Sequence, residues 1–240
     1  MVINQNYGQY TAVDHNTWSI LYKRQAEAVK LYAYQHFFKG VQQLGFAPDR
    51  IPDFEEVNRK LMPITGWNIY PVPGLIDNKF FFEQMHDKKF GATAWIRKPE
   101  QIDYLEEPDL FHDVFGHVPL LTDKHIAAYL FGLAKIANRF IDDEAIVEAI
   151  ARVYWYTIEF GLVRENGVLK IYGAGILSSI AETLYCLSDK PAHVDFDMIT
   201  IINTPYIKDN FQEQYFVLNS MADLSAALPV LEAHFEKQVA

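Results

Sequence analysis

Cysteine is almost missing: Cys186 is the only one in 240 residues. That excludes an internal disulfide and a cysteine-based zinc knuckle, and it fits a reducing compartment. Basic charge is scarce as well, with 21 Lys and Arg against 31 Asp and Glu and a formal net charge of −10. So acidic a chain suits neither nucleic acid nor an anionic membrane surface. No stretch approaches about 18 uninterrupted apolar residues, so no membrane-spanning helix is expected. Met1 to Asp14 is polar and lacks a basic segment followed by an apolar one, so no signal peptide is expected. Repeats, low-complexity blocks and Gly/Ser linkers are absent. A cytoplasmic location is the resulting expectation. What the chain does have is core material: 50% of its residues are hydrophobic and 15% aromatic, too apolar for disorder.

The pattern along the chain predicts a mainly α domain with a minor, short-stranded β component. Residues 1–16 are polar and read as a loosely held arm, and 17–240 as one domain. Asn16 or Thr17 would cap a long helix to about Leu44, because Trp18, Leu21, Tyr22, Ala26, Val29, Ala33 and Phe37 keep the three-four spacing of one face. Asp53 and Glu56 form a capping-box pattern for a helix to about Met62. Thr65 to Pro73 allows at most a short edge strand, because Pro71 and Pro73 lack the backbone donor. A second short strand is expected at Thr93 to Ile96, with helices at Phe80–Met85, Asp109–Phe115, Lys124–Asp142, Asp143–Val163, Gly175–Ser188 and from Ser220 onward. Asn166-Gly167 signals a small hairpin running into Val168 to Tyr172.

The chemistry begins at Glu-Glu-Pro-Asp-Leu-Phe-His-Asp-Val-Phe-Gly-His-Val-Pro, residues 106–119. Pro108 suits the first position of a helix, and Asp109 favours the positive end of its dipole. His112 and His117 are five residues apart, and on an unbroken α-helix they diverge by about 140°. The expectation is that the helix ends between them, at Gly116, and lets them converge. The alternative is a polar pair near a helix end. Glu159 lies in the aromatic, β-branched stretch Tyr-Trp-Tyr-Thr-Ile-Glu-Phe-Gly-Leu, where a buried carboxylate needs a cation. A metal supplies one; a salt bridge to Arg152 or Arg164 would also do. Two histidines and one carboxylate are the facial triad of non-haem Fe(II) oxygenases, although zinc accepts the same ligands.

These segments, together with Tyr-Gly-Ala-Gly-x-x-Ser-Ser at 172–179, closely resemble the catalytic domain of the pterin-dependent aromatic amino acid hydroxylases. The resemblance runs from about Trp18 to Val217 and implies that family's single-domain catalytic fold. It is nearest to the short bacterial members that act on phenylalanine. It implies that His112, His117 and Glu159 hold one Fe(II), and that the cofactor is tetrahydrobiopterin or a related reduced pterin. Gly74, Leu75 and Ile76 match a loop bordering the pterin, and Phe81 matches the ring that stacks on it; from the residues alone Phe81 is an ordinary core aromatic. Asp113 stands where relatives often carry Glu, reaching the pterin through water. Ala151 and Tyr154 match the pterin side of the iron. Arg97 matches the clamp for the amino acid carboxylate, a role its guanidinium fork suits. Asp109 is expected to hold it.

Leu105, Pro108, Trp155, Phe160, Gly175 and Ser178 match substrate-pocket and supporting positions, with Ser178 expected to hydrogen-bond His112. Trp155 resembles the phenylalanine-specific branch rather than the tryptophan-specific one. Leu105 and Glu106 depart from the animal relatives' Thr and Pro. The implied partners are L-phenylalanine, O2 and reduced pterin, and the implied product is L-tyrosine. Without the family's regulatory and tetramer-forming segments, a monomer is expected. Glu182, in a mostly apolar helix, is expected to be buried, paired and structural. His15, His36, His86, His125, His193 and His234 are scattered and read as surface or satisfied core residues.

Overall fold

The computed structural model describes residues 3–103, 105, 107–206 and 210–239. Helix α1 spans Ala12–Val29 and α2 Gln35–Leu44, in place of one long helix. The cap is Thr11, whose side chain pairs reciprocally with Asp14 in a capping box. The chain turns at 30–34 because a strand edge takes its backbone groups: Tyr34 N donates to Ile171 O, and Ile171 N to Tyr32 O. The apolar spacing hid this break because Val29, Ala33 and Phe37, on both sides of it, are buried in the same core. The expected arm boundary at residue 16 falls inside α1, and the segment before α1 is tied down. Gln5 brackets the 52–54 backbone, Tyr7 donates to Ile51 O and Tyr10 to Ala94 O.

Helix α3, Phe54–Thr65, has the expected Asp53 cap and buries Phe54, Val57 and Leu61. Strand β1 (Asn68–Val72) pairs in parallel with β2 (Lys89–Thr93) across α4 (Asn78–His86), with Asn68 facing Lys89 and Val72 facing Thr93. The second strand therefore ends where the sequence suggested it began. Residues 94–97 serve tertiary contacts instead: Ala94 O accepts from Tyr10, Trp95 O from Leu110 N, and Arg97 N donates to Asp109.

Helices α5 (Lys124–Arg139) and α6 (Glu144–Tyr154) start at the Asp caps 123 and 143. They bury Leu130, Leu133 and Ala137, and Ile146, Ile150 and Val153, respectively. After a π-helical turn, β3 (Leu162–Glu165) and β4 (Val168–Ile171) form the predicted hairpin. Asn166 and Gly167 take φ of 54° and 77°, as a type I′ turn demands. Then come α7 (Ala174–Leu177), α8 (Ile180–Cys186), β5 (Ala192–Asp195), α9 (Met198–Asn203), β6 (Gln214–Leu218) and α10 (Ala222–Val239). The second sheet has the order β4-β3-β6-β5, with β6 parallel to both neighbours. The expected helix from 175 to 188 is interrupted at Ser178–Ser179, where Ser179 caps α8. Among the described residues, no helix is long and apolar enough to cross a membrane.

Candidate active site

Two π-helical turns bring the three candidate ligands together. Phe111–His117 is wound as a π-helix and continues as a 3₁₀ turn, Val118–Thr122. Bonding from i to i+5 widens the winding and brings residue 117 back near residue 112, so the two rings converge without a helix end between them. This corrects the expectation that the helix stops at Gly116. Gly116 lies inside the turn, where a methyl group would stand 2.8 Å from Ala174 O, so its smallness serves packing against α7. Trp155–Glu159 is the second π-turn, at the end of α6, where the sequence pattern suggested continuous α-helix to Val163.

His117 Nε2 lies 3.0 Å from Glu159 Oε1 and 3.3 Å from His112 Nε2, and His112 Nε2 lies 3.6 Å from Glu159 Oε2. Two atoms each about 2.1 Å from one ion, at right angles to each other, stand about 3.0 Å apart. The donor set therefore fits a single cation held on one face. Side-chain exposures of 20% for His112, 3% for His117 and 14% for Glu159 leave an open side toward His112. No salt bridge joins Glu159 to Arg152 or Arg164 among the described residues, so the histidines are its partners.

The ring tautomers are set from outside. Ser178 Oγ donates to Ala174 O at 2.8 Å, so at 2.9 Å it accepts from His112 Nδ1–H and leaves Nε2 with a lone pair facing inward. The Tyr154 hydroxyl lies 3.4 Å from His117 Nδ1. Burial pushes the Glu159 carboxyl up, but His117 and His112 hold it below the usual carboxylate range. Burial pushes His117 down, and Glu159 and Asp113 bring it above its ordinary value. The site is therefore biased to keep a positive charge against Glu159, which a bound cation provides. Asp113, raised by burial despite both histidines, accepts from Thr93 N at 2.7 Å.

Arg97 donates through Nε and Nη2 to the two Asp109 oxygens, each at 2.9 Å, and Asp109 also accepts from Arg97 N and His112 N. One fully buried carboxylate thus couples the arginine to the first ligand turn. Phe81 sits edge-on to Tyr154 at 5.1 Å, and Phe90 lies 4.9 Å from the His117 ring. Ala151 O accepts from Trp155 N at the junction of α6 and the π-turn. The loop of Gly74, Leu75 and Ile76 joins β1 to α4, and Leu75 is 75% exposed. Trp155 packs on Phe160 at 4.7 Å. A methyl group at Gly175 would stand 3.1 Å from the Phe160 ring and 3.3 Å from Glu159 Oε2, so that ring pair borders the triad. Pro108 and Leu105 are half-buried in the connection leading to the first π-turn; Pro108 precedes that turn and is not its first residue. Tyr104 and Glu106 lie outside the described residues.

Sequence reasoning passed over Thr93, Phe90 and Gln212. Their side chains carry no ligand signature, and only tertiary placement brings them to the site. Glu182 is buried and bonded to the Tyr215 hydroxyl, as expected for a paired carboxylate. Of the scattered histidines, His15 accepts from Ile51 N, His36 bonds Thr122 and Asp123, and His193 bonds Cys186 O.

Comparison with known proteins agrees with this geometry. Residues 5–240 match the model of the biopterin-dependent aromatic amino acid hydroxylase family. Phenylalanine-4-hydroxylase of Chromobacterium violaceum is 46% identical over 223 residues, covering 92% of this chain and 74% of that protein. The Pseudomonas aeruginosa enzyme of the same name is 42% identical over 215 residues, 90% of this chain and 81% of that one. A crystal structure of the C. violaceum enzyme with iron(III) and 7,8-dihydrobiopterin superposes with a TM-score of 0.91 at 43% identity, covering 98% of this chain and 86% of that one. The chain belongs to the biopterin-dependent aromatic amino acid hydroxylases.

Proposed function

We infer that the protein is a phenylalanine 4-monooxygenase. It converts L-phenylalanine to L-tyrosine with O2 and a tetrahydropterin at a mononuclear Fe(II) site. One oxygen atom goes to the para carbon of the ring and the other to the pterin, which leaves as the 4a-hydroxypterin. The observation that carries this reading is the one-sided His112–His117–Glu159 cluster in a chain so similar to phenylalanine hydroxylases.

Fe(II) and reduced pterin supply the oxygen activation; the chain supplies placement. His112, His117 and Glu159 hold the metal, with Ser178 and Tyr154 fixing the orientation of the rings. Arg97, braced by Asp109, takes the amino acid carboxylate with the guanidinium N–H groups that Asp109 leaves free. Trp155 and Phe160, with Leu105, Pro108 and Gly175, aim the aromatic ring at the metal. Gly74, Leu75, Ile76, Phe81, Asp113, Ala151 and Tyr154 form the pterin side, with Phe81 offering its face. Enclosure of these walls keeps water from the reacting atoms.

The test is anaerobic reconstitution with Fe(II), then addition of phenylalanine, reduced pterin and O2. Tyrosine formed in step with pterin consumed is the expected result; pterin oxidation without tyrosine would overturn the reading. We further propose that the protein works as a monomer in the cytoplasm, as one catalytic domain, because a ferrous site and a lone buried thiol suit a reducing compartment. Sedimentation at micromolar concentration checks the monomer.

A further inference from the structure

The wall beside the triad is held by a residue from the other end of the fold. The Trp155 indole lies between Phe160, at 4.7 Å, and Tyr206, at 5.0 Å, and its Nε1–H donates to Gln212 Oε1 at 3.0 Å. An indole nitrogen only donates, so it needs the carbonyl side of the amide. The amide is turned that way by its own nitrogen, which donates to Asn210 O. Gln212 is 3% exposed, and three residues on, the Tyr215 hydroxyl donates to the buried Glu182 carboxylate. Glu182 stands in the first turn of α8, next to the segment whose Ser178 orients His112. A buried carboxylate thus pins the strand-entry segment 210–215, and that segment pins the indole.

We propose that Gln212 is a positioning residue for the aromatic substrate: it locks the Trp155 ring in place and so sets the size limit of the pocket beside the metal. Two ring contacts and one hydrogen bond hold the indole in this position. A single-ring amino acid fits beside it, and a two-ring amino acid would need it to swing aside. Loss of the hydrogen bond releases that swing, which loosens phenylalanine binding and admits tryptophan. Glu182 acts one step further back by holding the Tyr215 end of that segment.

This inference rests on the hydroxylase reading, and its test separates the two. Iron-loaded wild type, Gln212→Met, Trp155→Phe and the double variant are assayed with reduced pterin on L-phenylalanine and L-tryptophan. Phenylalanine binding and iron content are measured alongside. Gln212→Met is expected to raise the KM and the dissociation constant for phenylalanine roughly three- to tenfold, the range of one neutral hydrogen bond. It leaves kcat and iron content near wild type and shifts the preference toward tryptophan. In the Trp155→Phe background, which has no indole donor, the same change is expected to have less than about twofold effect. An equal loss in both backgrounds, or an unchanged preference, overturns the role of Gln212. Absence of tyrosine from the wild type overturns the hydroxylase reading instead. If Gln212→Met does not fold, Gln212→Glu carries the test: it keeps an acceptor for the indole and is expected to retain the preference, and loss of the preference there overturns the proposal.

Discussion

The two π-turns at the metal centre differ in how they deliver their ligands. Phe111–His117 supplies two ligands from one turn, and its winding alone stacks them. Trp155–Glu159 supplies one, and that ligand reaches its partners only because the backbone after it is crossed at close range. A methyl group at Gly173 would stand 2.4 Å from Glu159 O and 2.6 Å from Gly161 N; one at Gly161 would strike Thr157 O and the Tyr172 ring. The first turn is local geometry supported by Asp109 and Ser178 and packed at Gly116 against α7, and the second depends on a still closer tertiary crossing. Two-thirds of the triad thus comes from helix pitch, and one-third from packing.

The largest effect should come from removing a ligand on either turn. His112→Ala and Glu159→Ala are each expected to abolish coupled hydroxylation and weaken iron binding, measured by metal content and tyrosine yield. Wild-type tyrosine formation in either would mean that the two turns do not share a metal. The proposed substrate arm, Arg97 held by Asp109 beside the first turn, comes next. Arg97→Lys keeps the charge and loses the fork, so the KM for phenylalanine should rise roughly tenfold or more while that for pterin stays near wild type. Equal changes in both would detach Arg97 from the amino acid carboxylate.

Gly173→Ala tests the second turn alone. An added atom that close to backbone should cost about 3 kcal/mol in a urea unfolding titration, with iron affinity lost along with the fold. Ser178→Ala tests the first: stability should stay within about 1 kcal/mol while iron affinity falls roughly tenfold. If Ser178→Ala unfolded the protein and Gly173→Ala spared it, the contrast between the turns would be reversed. The smallest effect is a pH dependence far from the metal. Burial raises the Glu182 carboxyl above its ordinary 4.5, against its bond to Tyr215. The folded state therefore holds that proton more tightly than the unfolded chain, and stability is lost as pH rises from about 4.5 through the raised value. Melting temperatures of the wild type and Glu182→Gln should diverge across that window in the variant's favour as pH increases.

Local signals were reliable where one short stretch contains the whole physical argument. Asp53 caps α3 as expected because the cap bond closes within three residues, and Asn166-Gly167 makes its hairpin because the turn alone demands positive φ. The break between α1 and α2 was hidden because both pieces face one core, so apolar spacing runs through it unchanged. The shift of β2 was hidden because the strand is defined by its partner, β1, and not by its own residues. The ligand identities were legible in residue type and family motif, but the winding that joins them was not: α-helical periodicity predicted divergence, and the chain meets the difficulty with a π-turn.

The sequence by itself determined the ligand chemistry, the Asp53 cap and the Asn166-Gly167 turn, the acidic charge and the absence of an internal disulfide, since each follows from residue identity. Tertiary structure decided that Glu159 faces the histidines rather than an arginine, and it alone showed that Gln212 holds Trp155. Those contacts join residues between 42 and 57 positions apart, and chain entropy leaves such pairs unformed until the whole core has closed around them.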